Sequence, residues 1–561
     1  MFLNKLKMIT HAETKAPVSD VVISVPSFFT DKERRAMIDA AEIAGLNCLR
    51  TVNDVTAAAV NYGLMKAEVL ADEPKNVIIL DIGYSSLKAC LASFAKGQVE
   101  IKAHVSDMYL GGRDFDERLV NFFAEHFLKL RKVDVRQNKK ALLRLRVACE
   151  KMKKVLSGIQ LTRMELEALI DGDDFPLEMS RHMFEELSVG LTERIGAHLM
   201  ELLQKTGFSV DQIDSVEIIG GSTRIPAVKA KIAQLFGKEV KTTLNADESS
   251  SRGCALICAM DSPLVRVREY KIIESINFSS HLALFDAKGT AIGKFDLARE
   301  TPLGQTVNIQ LALPEAVSFP IVIEAKYNSD SLPVVEEIPL QFAKFQLSVP
   351  ASLQLAAGIH SLDLFVRFNW SGLLELEKAT VTEQTQAAED ASSASESDES
   401  SEAKPSQAIP TSQTLTIKTE TFRLPRQVLA KLKDAEIAMN LHDKLVAEID
   451  ERRNAVEEYI YEARAKLDDM FASVCDESER EQALRVLSLA EDWLYNDGAD
   501  LSKEAYIQKL EELKKLMKPF YTRLVEQARA AASPKVEENA HAQEQSFSSP
   551  DSSNAPHMDM D

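Results

Sequence analysis

The chain has 561 residues, 45% of them hydrophobic and 27% charged, with a net charge of −20, so it is too long for a single hydrophobic core and is expected to fold as two to four globular domains. The negative charge argues against a nucleic-acid partner, because gripping phosphates needs a basic surface. No apolar run is long enough to span a bilayer, and the opening MFLNKLKMITHAETK has no continuous apolar stretch of a secretory signal, so no membrane partner is expected and the expected compartment is the cytosol or nucleus.

From Val21 to about Met260, short Val/Ile runs alternate with amphipathic helical stretches, an α/β pattern. Strand VVISV (21–25) leads into Thr30-Asp31-Lys32-Glu33, a capping-box pattern, and a helix that stops near Gly45. Residues 77–91, VIILDIGYSSLKACL, outline a hairpin whose Asp81-x-Gly83 tip offers a carboxylate to a metal-bound water and backbone N–H groups to phosphate oxygens. Where a phosphate cradle wants further glycines, the chain has Tyr84, Ser85 and Ser86. Next come the glycine pair of LGGRDFD (Gly111, Gly112) and a long helical region, 117–158. There Glu150, Lys153, Lys154 and Ser157 share one face, able to meet a sugar and base, although such a face is more often simply solvated. The segment IIGGSTRIP (218–226) ends a strand in Gly220-Gly221 and places Ser222, Thr223 and Arg224 before a helix start. It suits an adenosine or phosphate, and it suits equally a plain strand-to-helix turn.

Residues 268–380 alternate, with Leu362, Leu364, Val366 and Phe368 on one face and Asp363, Arg367 and Asn369 on the other, which predicts a β-rich domain. Between Glu383 and Ala403 there are seven acidic and no basic residues, a composition that cannot bury enough apolar surface to fold. Residues 424–531 carry apolar positions at helical spacing, Leu441, Leu445, Ile449, Val456 and Ile460, then Tyr506, Leu510, Leu513 and Met517, and predict a helical bundle. The last thirty or so residues are polar and expected to be disordered. The six cysteines are scattered, without a CxxC or a neighbouring His pair, so neither a zinc site nor a disulfide framework is expected.

Taken in order, VVISVPSFFTDKERRAMIDAAEIAGLNCLR, NDVTAAAVNYG, DIGYSSLKA, LGGRDFD, CEKMKKVLS, IIGGSTRIP and LNADESSSRGCA resemble the nucleotide-binding domain of the seventy-kilodalton heat-shock chaperones. RNAVEEYIYEARAKL (453–467) and EDWLYNDGAD (491–500), after an acidic insert, resemble the large branch of that superfamily, the 110-kDa heat-shock proteins. The resemblance implies a multidomain α/β + β + α chain. Its parts would be an actin-like (ribonuclease H-like) nucleotide-binding domain at 1–262, truncated at its N-terminal side, a β-sandwich peptide-binding domain at 263–380, an acidic disordered insert at 381–423, an α-helical bundle at 424–531 and a disordered tail at 532–561. It also implies that Asp81, Gly83, Tyr84, Gly111, Gly112, Glu150, Lys153, Lys154, Ser157, Gly220, Gly221, Ser222, Arg224 and Asp247 bind the nucleotide, ATP or ADP with Mg2+. Asp54-Val55 stands where the family has a Glu-Pro pair, and Tyr84 and Ser85 replace two glycines of its second phosphate turn. The family's first phosphate hairpin and catalytic lysine have no counterpart, so binding is expected to be weakened and hydrolysis absent or very weak, with no catalytic or metal residue assigned. The implied function is adenyl-nucleotide exchange for a 70-kDa heat-shock chaperone and holding of unfolded client polypeptides. The alternatives are an ATP-hydrolysing, peptide-cycling chaperone and a protein-binding module that holds no nucleotide.

Overall fold

The structure, a computed structural model, describes residues 1–66, 73–170, 173–263, 265–314, 317–332, 338–350, 360–383, 412–498 and 500–532. Residues Met1–Asp434 form one compact unit, and a second begins at Ala435.

In the first unit the chain runs α1 (Phe2–Thr14), β1 (Asp20–Val25), α2 (Asp31–Ile43), β2 (Asn47–Asn53), α3 (Asp54–Met65), β3 (Lys75–Ile82), β4 (Leu87–Ala95) and β5 (Gln98–Asp107). It continues through α4 (Gly112–Arg131), α5 (Lys139–Leu156), β6 (Leu161–Ile170), β7 (Asp173–Ser180), α6 (Arg181–Thr206), β8 (Ser215–Ile219), α7 (Pro226–Phe236), α8 (Ser249–Asp261) and β9 (Lys271–Ile273). The central sheet has the order β8-β3-β4-β5-β9, with β3–β4 and β4–β5 antiparallel and the two outer strands parallel to their neighbours. Its strands bury both faces, as sheets covered on both sides by helices do. Ile78, Leu80 and Ile82 join the core built with α4 to α7, and Val77, Ile79, Cys90 and Ala92 join the core built with α3 and α8. The Thr30 capping box is present, with the Thr30 N–H donating to Glu33 Oε2 at 2.9 Å. The helical region expected at 117–158 is two helices, because the Asn138 side chain accepts from the N–H groups of Lys140 and Ala141 and starts α5 afresh. Among the described residues β1 pairs with β2 alone.

A β-sandwich follows: β10 (Ser280–Phe285), β11 (Ala291–Leu297), β12 (Thr306–Leu313), β13 (Ile321–Tyr327), β14 (Gln341–Ser348), β15 (His360–Phe368), β16 (Leu374–Glu383), β17 (Ser412–Thr414) and β18 (Thr416–Thr421). Its sheets are β11-β10-β13-β14-β18 and β12-β15-β16-β17. The alternation expected in 362–368 is observed, with Leu362, Leu364, Val366 and Phe368 buried. The insert expected over 381–423 is corrected at both ends, since 381–383 belong to β16, and β17 and β18 extend the two sheets. Its middle, and the tail from 533, lie outside the described residues.

The sandwich is docked on the α/β part by a buried polar network. Arg34 donates to the carbonyls of Phe29 (3.0 Å) and Ser371 (3.2 Å) and to the Asn53 side-chain oxygen. The Thr51 N–H donates to Ser371 Oγ at 3.0 Å, and the Tyr327 hydroxyl accepts the Asp31 N–H at 3.0 Å. Glu274, buried just after β9, accepts from Asn53 and Thr56, both at 2.7 Å, and pairs with His104 at 2.8 Å. Beyond β18, Arg423 pairs with Asp39 at 3.1 Å and with Glu42 at 2.6 Å.

The second unit is the helical bundle of α9 (Arg426–Asp468, from Ala435 on), α10 (Glu477–Tyr495) and α11 (Lys503–Ala532). Val456, Ile460, Leu467, Phe471, Leu487, Leu494, Tyr506, Leu513 and Met517 form its core. Leu441 and Leu445, core positions by their spacing, are exposed at 62% and 49%.

Candidate nucleotide site

Three turns meet at the ends of β3, β5 and β8. The Gly83 carbonyl is their hub, accepting the Gly112 N–H at 3.0 Å and the Ser222 hydroxyl at 2.8 Å. The Arg113 N–H donates to the Tyr84 carbonyl at 2.8 Å, so the β3–β4 turn is stitched to the first turn of α4. Gly112 is needed for this approach, because a Cβ there would lie 2.5 Å from Ser222 Oγ. Gly220 has φ +85°, and its Cβ would lie 2.4 Å from Asp81 Oδ1, so both backbone and space demand glycine. Among the described residues, apart from its chain neighbours, nothing stands within 4 Å of a Cβ built on Gly221, which leaves that backbone open to a ligand. Thus Asp81, Gly83, Tyr84, Gly111, Gly112, Gly220, Gly221 and Ser222 come together as one group of turns, with Tyr84 64% exposed.

The helical residues divide. Lys153 is buried, donates to the Gly112 carbonyl at 2.9 Å and pairs with Asp116 at 2.8 Å, so it braces the start of α4. Burial pushes the Asp116 carboxyl up, against the pull of Lys153. Ser157 donates back to the Lys153 carbonyl at 3.3 Å. Glu150 and Lys154 pair at 2.6 Å on the exposed face of α5, a hydrogen bond that holds the Glu150 carboxyl below its usual range. Arg224 and Asp247 form an exposed pair at 3.1 Å.

Sequence reasoning does not single out Lys88. It stands directly across the hairpin from Asp81 in the antiparallel register. Its Nζ lies 2.8 Å from Asp81 Oδ2 and 2.6 Å from Oδ2 of Asp54, the first residue of α3. The other Asp54 oxygen accepts the Val55 N–H at 2.9 Å, a placement at a helix N-terminus that favours a carboxylate. Burial opposes the Lys88 charge, yet the two carboxylates outweigh it and raise the ammonium pKa above the ordinary lysine value. Burial pushes Asp54 up, with Lys88 pulling back. Asp54 and Asp81 are the carboxylates that the turn offers to a hydrated Mg2+, and each has an oxygen engaged by the ammonium. The residues present therefore do not fit a divalent cation at this position. Their chemistry is that of a lysine-bridged carboxylate pair, in which one ammonium offsets one of the two carboxylate charges.

An actin-like nucleotide-binding domain carrying a docked β-sandwich, followed by a helical bundle, defines a chaperone of the heat-shock type. The family model described as "Hsp70 protein" matches residues 1–526. A heat shock protein homolog of Lachancea kluyveri is 36% identical over 535 residues, covering 92% of this chain and 74% of that protein. The heat shock protein hsp88 of Neurospora crassa is 33% identical, covering 96% and 77%, and the heat shock 70 kDa protein 14 of Arabidopsis thaliana is 35% identical, covering 94% and 69%. The chain belongs to the Hsp70 family, in its large, 110-kDa branch. Membership of that family implies nucleotide binding with Mg2+, which makes the Lys88 arrangement a departure.

Proposed function

We propose that this chain is an adenyl-nucleotide exchange factor for 70-kDa heat-shock chaperones and a holdase for unfolded client polypeptides, which binds a nucleotide in part and does not hydrolyse it at a useful rate. The observation that carries the reading is the pairing of Lys88 with both Asp54 and Asp81. In-line attack on a phosphoryl group needs a positioned water and preorganised charge, and the two carboxylates able to orient that water are committed to an ammonium.

The buried network around Arg34 adds support. A peptide-cycling chaperone has to release its substrate domain from its nucleotide domain. Here release would strand Arg34, Thr51, Asn53 and Glu274 without several of their partners. A chain held in the docked arrangement acts better on a partner's cycle than through one of its own. Within this reading Gly83, Gly112, Gly220, Gly221 and Ser222 face the phosphates, Glu150, Lys154, Arg224 and Asp247 face the adenosine side, and Lys153 positions the α4 turn. The exchange arm is the helical unit. There Ile460 is buried and Tyr459 and Trp493 are packed against the core, Arg464 pairs with Glu491, and Glu457 accepts the Tyr495 hydroxyl. On the same helix Glu458 is exposed. The cysteines, all free, accord with a reducing compartment, the cytosol or nucleus.

Two measurements on the purified chain test this reading. Steady-state phosphate release is expected to stay at the level of a protein-free blank, and aggregation of a heat-denatured client is expected to be suppressed without added ATP. Phosphate release above the blank that is abolished by Asp81→Asn would favour the peptide-cycling alternative.

A further inference from the structure

We propose that Lys88 is a tethered cation that takes the place of a divalent metal, so that this chain holds the phosphates of an adenine nucleotide without metal. The inference rests on the chain keeping a nucleotide site and is independent of exchange activity on a partner.

The ammonium is placed by three separate features of the fold. The register of β3 against β4 sets Lys88 opposite Asp81. The parity of β4 turns Lys88 to the same side as Cys90 and Ala92, which is the side packed on α3. The start of α3 brings Asp54 to that point from a third direction. A surface lysine swings freely, but this one has a side chain 11% exposed and a carboxylate at each of two donors. The ammonium occupies the space between Asp54 and Asp81 in which a divalent ion would sit.

The electrostatics follow the same direction. A hard cation such as Mg2+ seeks several oxygen ligands and keeps much of its water, and a positive charge already bonded to both carboxylates repels it. Lys88 is a point charge with three donors, two of which are used on the carboxylates. On the other side of the turn, Lys153 reaches the Gly112 carbonyl, and Gly112 is bonded to Gly83. The phosphate turn therefore lies between two buried lysines, each paired with carboxylates, Lys88 with Asp54 and Asp81 and Lys153 with Asp116, and the ammonium of Lys88 occupies the place between two carboxylates that a metal would take.

The test uses the full chain and Mn2+ as the metal probe. Titration of Mn2+ alone, followed by its electron paramagnetic resonance signal, is expected to show no bound ion up to millimolar concentration. The affinity for a fluorescent ADP is expected to change by less than about twofold between EDTA and Mg2+ buffers. In Lys88→Ser the two carboxylates are freed, and a Mn2+ site is expected to appear. Stoichiometric Mn2+ binding by the unaltered chain, a loss of ADP affinity of about tenfold or more in EDTA, or no ADP binding in either buffer would each overturn the proposal. If Lys88→Ser does not fold by circular dichroism, the two arms on the unaltered chain decide alone. The exchange reading is untouched by these outcomes, because no partner chaperone is present.

Discussion

Arg34 of α2, a residue 6% exposed, donates to the backbone carbonyl of Ser371 in the β15–β16 turn at 3.2 Å, joining the α/β part to the sandwich. Burial lowers its pKa, and nearby carboxylates, Glu274 first among them, oppose that. In Arg34→Ala the carbonyls of Phe29 and Ser371 and the Asn53 oxygen each lose a donor, Ser371 keeping Thr51 and Asn53 keeping Asn277, and a buried acceptor left unpaired costs about 1–3 kcal/mol. The expected result in urea is loss of at least about 2 kcal/mol, with faster proteolysis around residues 265–270. Arg34→Lys is expected to recover only part, since an ammonium cannot reproduce the planar fork. A single unfolding transition of unchanged midpoint in Arg34→Ala would contradict the docking role.

Removing the Lys88 charge alone leaves Asp54 and Asp81 close together and unneutralised. Breaking a buried pair in this way costs about 3–5 kcal/mol. Lys88→Met is therefore expected to lower stability by that order, and adding Asp54→Asn to it is expected to restore a substantial share. Denaturation of the two single variants and the double variant gives the coupling directly, and strictly additive effects would mean that the contact carries no coupling energy.

Arg224 and Asp247 make an exposed pair, and such pairs contribute about 0–1 kcal/mol to stability. Arg224→Ala is expected to leave the melting temperature nearly unchanged while weakening ADP, because in the proposed site its guanidinium serves the ligand and not the fold. Calorimetric titration with ADP checks this, and an unaltered affinity would remove Arg224 from the site.

His198 sits 2.9 Å from Asp107 Oδ2 and 3.1 Å from Glu201 Oε2, with Arg194 also on Asp107 at 2.6 Å. The hydrogen bond to Asp107 raises the imidazole pKa above 6.5 despite partial burial. A raised folded-state value means that the stabilisation is fully present below the unfolded pKa, near 6.5, and is lost as pH rises through the folded one. Thermal melts from pH 6 upward are expected to fall on crossing that window, and His198→Gln is expected to flatten the fall.

Much of this is legible in the sequence and some is not, for physical reasons. The turns around Gly83, Gly112 and Gly220 announce themselves through glycine, which close approach and a positive φ require. Lys88 does not, because alternation along Leu87, Ala89 and Leu91 reads as a half-solvated strand, whereas helices cover both faces of this sheet. Its partner Asp54 lies 34 residues away in the chain, and no local pattern reports that contact. Strand β18 disappears into the acidic stretch because only Leu415 and Ile417 among 412–421 are apolar, with Leu415 buried and Ile417 packed on the sandwich core. Composition alone does not register an edge strand with one wet face. Leu441 and Leu445 show the reverse error, since helical spacing identifies a stripe without saying that anything covers it.

The exchange reading is tested most directly by loading a 70-kDa heat-shock chaperone with fluorescent ADP, adding the full chain in the presence of excess unlabelled nucleotide, and following ADP release by stopped flow. The expected result is a release rate that rises with chain concentration to a plateau, unchanged by Asp81→Asn and abolished by deleting 435–532. A release rate that stays at its intrinsic value while the chain demonstrably binds the partner would contradict the proposal and leave a protein-binding module in its place.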